Sequence, residues 1–528
     1  MLNEIKLFTI QEASEWATDY LDRHVSPSNI SYLIQYGRIK KFNDNSSTRV
    51  SKQDLIRYYK SYVGKKELEW KKELGEDLNW ELSFDNLAEK ERTKHVHRLH
   101  PYKGKFIPQL VEYFLDTDTD DFKKNAYFKP GDIVLDPFCG SGTTLVQANE
   151  LGIHSIGIDI SAFNAMISNI KVGKHNFFNL HDEARKITNA LKEFVFGKSY
   201  IAFETELAES LSQFNKKHFP SPEYRYRVSQ GEIDQKKYGS EKELEFQVVF
   251  DDLVAKHDII IQQEKSDSFL GKWYNKPVRD EIEFVFELIN RVRDPNTKKI
   301  LMVILSRTMR SCRATTHADL ATLVDPVLST YYCRKHGKIC KPLFSTIRWW
   351  ERYCKDTINR LSIYKKIQTP TFQYCFSGDS RTINLFDELK RQDRSFSEYA
   401  LKNKINGIFS SPPYVGLINY HEQHAYAYDL FGFERQDRQE IGPLYNGQGR
   451  AARDSYVIGI SDVLNNCKQF FVDDYDVFLV ANDKYNLYPS IVERAKMKIV
   501  NEFKRPVLNR TEKNKAPYSE IIFHVKAR

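Results

Sequence analysis

No apolar run in the 528 residues approaches the ~18 needed to span a bilayer, and the opening "MLNEIKLFTI" lacks the charged, apolar and small-residue regions of a signal peptide. The expectation is a soluble, intracellular chain with no membrane partner, cytoplasmic and, in a prokaryote, nucleoid-associated. Cysteine is scarce as well. Seven, an odd number scattered along the chain, exclude a disulfide framework and point to a reducing cytosol. Neither sign of charge dominates: 79 Lys+Arg against 71 Asp+Glu leave +8, which permits a polyanionic partner without requiring one. The length suits roughly three domains. Aromatics are plentiful, with 30 Tyr and 34 Phe, and suit either cores or base stacking.

Residues 9 to 60 read as a small helical unit. Thr9 and Glu12 have capping-box spacing ahead of "IQEASEWATDYL". In "SPSNISYLIQYGRIKKF", Ser28 is placed as an N-cap, Ile30, Leu33 and Ile34 share a helical face, and Gly37 is the stop. A polar turn and a helix introduced by Ser51 and Asp54 follow. Helix, turn, helix, hairpin and helix resemble the excisionase-type winged helix-turn-helix. That resemblance implies a helix from Ser28 to Tyr36 in the major groove and a basic hairpin from Arg38 to Arg49 on the backbone. A helical docking module without DNA contact is the alternative. The expected division is 1–62 for this module, 63–94 for a charged linker, 95–175 and 371–528 for the two parts of a catalytic domain, and 176–370 for an inserted, mainly helical domain.

"GDIVLDPFCGSGTTLVQANELGIHSIGIDIS", residues 131–161, predicts a strand ending on Asp136, a tight glycine loop, a helix stopped at Gly152 and a second strand ending on Asp159. Gly140 and Gly142 let a ligand approach the backbone, and Asp159 lies where an acid accepts ribose hydroxyls. Leu145 occupies the place of the third glycine in a dinucleotide fingerprint, which disfavours a pyrophosphate cofactor. Further on, "GIFSSPPYVG" puts Pro412 and Pro413 behind an apolar run. Neither can donate to a sheet ladder, so the strand must end at Ser410 or Ser411.

"DPFCGSGTT" resembles the cofactor loop of amino-methylating DNA methyltransferases, the cytosine-N4 and adenine-N6 enzymes. "HRLHPYKGKFIPQLVEYFL" resembles the segment preceding that loop, "YCFSGDSRTI" the end of the third strand, and "SSPPY" the catalytic tetrapeptide. The resemblance implies an α/β fold: a Rossmann-like S-adenosylmethionine-dependent sheet carrying the winged module and the large insertion. It implies cofactor binding by Tyr102, Lys105 and Phe106, by Asp136, Pro137, Phe138, Gly140, Ser141, Gly142 and Thr143 of the loop, and by Asp159, with Asp379 accepting the adenine amine. Ser411, Pro412, Pro413 and Tyr414 take the catalytic places. Ser411 in the first place implies N4-methylation of cytosine; adenine-N6, an RNA base, or a DNA-binding regulator that senses the cofactor are the alternatives. Double-stranded DNA is the implied partner, with a restriction endonuclease as functional companion in a restriction-modification setting. Methylation at a ring carbon would use a Pro-Cys nucleophile, which occurs nowhere here, so Cys139 reads as loop lining.

Within the insertion, Lys216, Lys217, Tyr224, Arg225, Tyr226 and Arg227 interleave charge with aromatic rings and suit phosphate and base contacts, or else a solvated loop. Arg307, Arg310 and Arg313 recur every three residues, on one helical face that suits either a phosphate backbone or internal salt bridges. Cys312, Cys333, His336 and Cys340 invite a zinc reading, but C-x6-C lacks the close pairs of ordinary knuckles. No metal ligand is assigned from sequence.

Overall fold

The computed structural model describes residues 6–22, 24–35, 39–44, 47–60, 70, 72–75, 77–79, 81–84, 87–102, 104–120, 123–262, 268–317, 323–508 and 516–528. The chain forms two compact units. One gathers Met1–Glu73, Asn189–Val285 and Thr308–Trp349; the other gathers Leu74–Thr188, Phe286–Arg307 and Trp350–Arg528.

The second unit is built on a seven-stranded sheet. Its strands are β1 (Ile133–Asp136), β2 (His154–Asp159), β3 (Gln373–Ser377), β4 (Ile405–Ser410), β5 (Phe471–Ala481), β6 (Met497–Pro506) and β7 (Ser519–Ala527), in the spatial order β6-β7-β5-β4-β1-β2-β3. The neighbours from β5 to β3 are parallel, and β7 lies antiparallel between β5 and β6. Every residue of β1 and β2 is buried, which explains their unbroken apolar reading: a parallel strand covered on both faces has no solvent side to alternate with. Ile133, Leu135, Ile156, Ile158, Ile408 and Leu479 fill one core, and Val134, Phe409, Phe478 and Ile522 another. From β1 the order runs outward in both directions, so the crevice above the carboxyl ends of β1 and β4 is a topological switch point, where open α/β sheets bind ligands.

β4 ends at Ser410, paired with Leu479, and the chain then leaves the sheet through Ser411 and the two prolines. The absence of two consecutive N–H donors sets that boundary.

In the first unit the front segment forms strands Leu7–Thr9, Phe42–Asp44 and Ser47–Ser51 in one small sheet, with helices Ile10–Leu21, Pro27–Gln35 and Lys52–Lys60. Thr9 and Glu12 make the reciprocal capping box: the Glu12 N–H donates to Thr9 Oγ1 at 3.2 Å, and the Thr9 N–H donates to Glu12 Oε2 at 2.8 Å. The second helix starts at Pro27, so Ser28 lies within its first turn and not ahead of it; proline fits there because its missing N–H would have no partner anyway. Gly37 lies outside the described residues. Phe8, Ala13, Ala17, Ile30, Leu33, Val50 and Leu55 form the core of this segment.

Of residues 176–370, 189–285 and 308–349 group with the front segment, and 176–188, 286–307 and 350–370 with the sheet. Helix Ile347–Lys365 shows why in its second half, which buries Leu361 and Tyr364, with the Tyr364 hydroxyl donating to Asn149 Oδ1 at 2.9 Å. Apolar periodicity marks a buried face but not the partner that covers it.

Candidate active site

The parallel register brings four strand ends to one edge. Asp136 pairs with Gly157 and Asp159 with Ser377, so the ends of β1, β2 and β3 sit side by side, with Ser410 ending β4 next to β1. A cavity opens there. Of the residues expected to hold cofactor, Tyr102, Lys105, Phe106, Asp136, Pro137, Phe138, Gly140, Ser141, Thr143, Asp159 and Asp379 line it, together with Ser411 and Pro413 of the tetrapeptide. Gly142, Pro412 and Tyr414 are not part of that lining. Cys139 lies on the wall with its thiol 3.8 Å from Ser168 Oγ.

The glycine loop owes its shape to two positions. Gly140 has φ +51°, and a Cβ there would sit 2.9 Å from the Tyr102 ring. Gly142 has φ +73°, and a Cβ would meet Ser168 Oγ at 2.8 Å. Both the left-handed backbone and the close approach require glycine. The loop is tied to β2 by the Gly140 N–H, which donates to Asp159 Oδ2 at 2.7 Å.

Two buried carboxyls face the cavity. Asp159 Oδ1 accepts from the Ser161 N–H at 2.8 Å and Asn164 Nδ2 at 3.1 Å, yet burial still pushes its pKa up to about 7. Burial pushes Asp136 up to about 6, although Ser410 Oγ donates to its Oδ1 at 2.6 Å and the Phe138 N–H at 3.2 Å. Carboxyls so desolvated keep their protons to higher pH than usual, and further donors or a cation would favour their ionised forms. S-adenosylmethionine offers a ribose diol, an ammonium and a sulfonium, so this acid-lined cavity fits it.

Asp379 is more committed. Arg381 grips it with Nε at 2.9 Å and Nη2 at 2.6 Å, and the Arg381 N–H adds a bond at 2.9 Å. Burial pushes this carboxyl up, but the guanidinium outweighs it and holds the pKa below its ordinary value. An adenine amine would have to share an oxygen that Arg381 already uses.

At the tetrapeptide, Ser411 Oγ donates to the Val480 carbonyl at 3.1 Å, so its proton points into the sheet and its lone pairs are left to accept. The half-buried Tyr414 gives its hydroxyl proton to Glu520 Oε1 at 2.8 Å. Thr144 Oγ1 donates to the Phe409 carbonyl at 3.2 Å, joining the helix after the glycine loop to β4.

Sequence reasoning missed the wall contributed by the loop after Tyr414. Tyr420 and Glu440 line the cavity, and Glu440 accepts from the His421 N–H at 2.9 Å while burial raises its carboxyl. Nothing in the spacing of "NYHEQHAY" or "DRQEIGP" marks them; only the fold returns that loop to the sheet edge.

Several residues offered for polynucleotide contact have partners within the protein. Tyr224 is buried, 3% exposed, with its hydroxyl 2.8 Å from that of Tyr332, so it serves a core and not a base. Arg225 donates to the Lys335 carbonyl, and Arg227 pairs with Glu232 at 3.1 Å. Arg307 is buried, bonded to Asp356 and over the Tyr353 ring, which is the internal salt bridge rather than a phosphate contact. Arg313, also buried, donates from Nε to the Arg310 carbonyl at 3.2 Å. Lys216 and Lys217 remain exposed.

The sheet order and the acid-lined crevice define a Rossmann-like methyltransferase using S-adenosylmethionine. A family model described as DNA methylase matches residues 2–169. The Type II methyltransferase M.MjaII of Methanocaldococcus jannaschii is 46% identical over 526 residues, covering 99% of this chain and 97% of that protein. The chain belongs to the amino-methylating DNA methyltransferase family. The Type II methyltransferase M.MvaI of Kocuria varians is 36% identical over 98 residues, 18% of this chain and 19% of its own. A tRNA (guanine(10)-N2)-dimethyltransferase of Methanocaldococcus jannaschii is 32% identical over 97 residues, 18% of this chain and 25% of its own. No solved structure matches. Among the described residues no helix is long and apolar enough to cross a membrane.

Proposed function

We propose that the protein is a site-specific modification enzyme of a Type II restriction-modification system, methylating the exocyclic N4 amine of a cytosine taken out of duplex DNA. The observation that carries this reading is Ser411 at the mouth of the crevice, its proton committed to Val480 and its lone pairs available. S-adenosylmethionine supplies an electrophilic methyl on a sulfonium. The target amine is a poor nucleophile because its lone pair is delocalised into the ring. Ser411 Oγ and the Pro412 carbonyl accept its two hydrogens, so that the nitrogen pyramidalises and its lone pair turns outward. The two prolines fix these acceptors in advance, which limits reorganisation as charge develops. The surplus proton leaves the amine to water, and no covalent intermediate with the protein is needed. Tyr414 offers a ring to the extruded base, since the amine cannot be reached inside the stack.

Cytosine is favoured by serine in the first place of the tetrapeptide. Duplex DNA is favoured by the relative that matches along nearly its whole length, a Type II methyltransferase. The two short matches, one to a DNA and one to a tRNA enzyme, each cover 18% of the chain and support a shared amine chemistry rather than a choice of polynucleotide. Sequencing the genome of a host expressing the protein, with readout of modified bases, should reveal one short motif carrying N4-methylcytosine. A genome without any modified motif would count against the reading.

The front segment serves DNA grip in this account, as a winged helix-turn-helix whose hairpin meets the backbone. Lys40 is exposed and Lys41 half-buried at the start of that hairpin. A Lys40→Glu, Lys41→Glu double variant should weaken duplex binding about tenfold and flatten its salt dependence by one to two units in slope, at ~0.9 per lost phosphate contact. Cofactor affinity should stay within about twofold. An unchanged salt slope would remove the hairpin from the interface.

A further inference from the structure

The strands Tyr331–Cys333 and Lys338–Cys340 form an antiparallel hairpin, Tyr331 opposite Cys340 and Cys333 opposite Lys338. Its turn is tight: the His336 and Gly337 N–H groups both donate to the Cys333 carbonyl, at 3.1 and 2.7 Å, and Gly337 has φ +62°. This folds "CRKHG" so that His336 comes back beside the cysteines, with its Nδ1 3.5 Å from Cys340 Sγ. His317 arrives from the preceding segment, its ring 4.3 Å from that of His336 and inclined at 60°. One ligand atom from each of His317, Cys333, His336 and Cys340 lies within 4.8 Å of all the others.

We propose that His317, Cys333, His336 and Cys340 hold one structural zinc ion in a tetrahedral Cys2His2 site. With Zn–S near 2.3 Å and Zn–N near 2.0–2.1 Å, ligand atoms on a tetrahedron stand ~3.3–3.8 Å apart. The Cys340–His336 distance already meets that edge, and the others need to close by about 1.5 Å at most. The donor set closes all four positions with side chains, as structural sites do, and leaves none for a reactant.

The surroundings suit the same purpose. The Tyr331 hydroxyl lies 2.7 Å from His317 Nδ1; with Nδ1 donating to that oxygen, Nε2 would be the nitrogen left to bind the ion. Such partners fix the orientation of metal-bound imidazoles. Strands of three residues cannot hold a hairpin by their ladder alone. This one is further pinned by Asn215, which accepts from the Ile339 N–H and donates to its carbonyl, both at 3.0 Å, and by Glu243 on the Tyr332 N–H at 3.0 Å. A metal bound beside its turn by Cys333, His336 and Cys340 would complete the brace. Its turn also accepts from Arg225, so the ion would order the basic helix Glu223–Ser229.

Cys312, grouped with these residues by sequence, is buried outside the cluster, and His317 takes its place. That substitution distinguishes the proposal from a generic cysteine effect. Full-length protein purified without chelator should carry one zinc per chain by plasma mass spectrometry. Cys333→Ser and His317→Ala should each lose most of it, and Cys312→Ser should keep it. Because a variant that fails to fold would lose metal trivially, the wild-type chain supplies the second measurement. After zinc removal it should bind one Co²⁺ with a thiolate charge-transfer band and the visible bands of a tetrahedral site, and zinc should protect Cys333 and Cys340 from alkylation. Wild-type protein with no stoichiometric metal and no cobalt bands would overturn the proposal, as would a Cys333–Cys340 disulfide in the protein as purified or loss of metal in folded Cys312→Ser.

Discussion

Tyr414→Ala should lower methyl transfer about 100-fold while leaving cofactor affinity within about twofold. Stacking an extruded base on an aromatic ring contributes roughly 1–3 kcal/mol, and a base that wanders also loses its approach to the methyl group, so the two losses compound. The ring is anchored through its hydroxyl. Its hydroxyl donates to Glu520 Oε1 at 2.8 Å, and Glu520 Oε2 lies 3.8 Å from Nε of the buried Arg505. Tyr414→Phe keeps the ring and loses only this anchor, a neutral-to-charged hydrogen bond worth about 1.5–3 kcal/mol at most, so its activity should fall by roughly tenfold and clearly less than that of the alanine variant. Single-turnover methylation beside cofactor calorimetry separates the cases. Full activity in Tyr414→Ala would end the stacking role.

Asp159→Asn should weaken S-adenosylmethionine binding by at least tenfold. The ribose diol would donate two charge-assisted hydrogen bonds to the Asp159 carboxylate, each worth about 1.5–3 kcal/mol. An amide also places N–H donors against the Gly140 or Ser161 N–H, both of which now donate to the carboxylate. The same residue sets a pH dependence. Its pKa in the free protein is about 7, raised by burial above the ordinary value, so the native state binds this proton more tightly than the unfolded chain. The free protein therefore loses stability from this group as pH rises from about 4 to about 7. Cofactor binding prefers the charged form and must run the other way, tightening between about pH 6 and pH 8; Asp136, near 6, completes its ionisation earlier. Calorimetry over that range should show the rise in wild type and a nearly flat profile in Asp159→Asn. An Asp159→Asn protein that is folded and binds with wild-type affinity would remove the residue from the site.

How much of this was legible in the sequence depends on how local each signal is. The ends of β1, β2 and β4 could be read because glycine and proline act on the backbone at their own positions: the loop after Asp136 needs left-handed residues, and the strand before Pro412 has no ladder to continue. Asp136, Asp159 and Ser411 follow, being the last or next residue of a strand in a parallel sheet. Glu440 and Tyr420 could not be found, because a loop some twenty residues away brings them to the same wall and leaves no periodic trace. Arg307 shows the limit of helical spacing, which says that residues share a face but not whether Asp356 or solvent meets it. Cys312 and His317 show the same limit for metal ligands, since a buried helix end and a turn five residues later look equally available in one dimension.

The central claim is the identity of the modified atom. Purified protein, S-adenosylmethionine with an isotopically labelled methyl group and mixed-sequence duplex DNA should yield, after digestion to nucleosides and mass spectrometry, labelled N4-methylcytosine. Label found only in N6-methyladenine, or no label in DNA at all, would contradict the account.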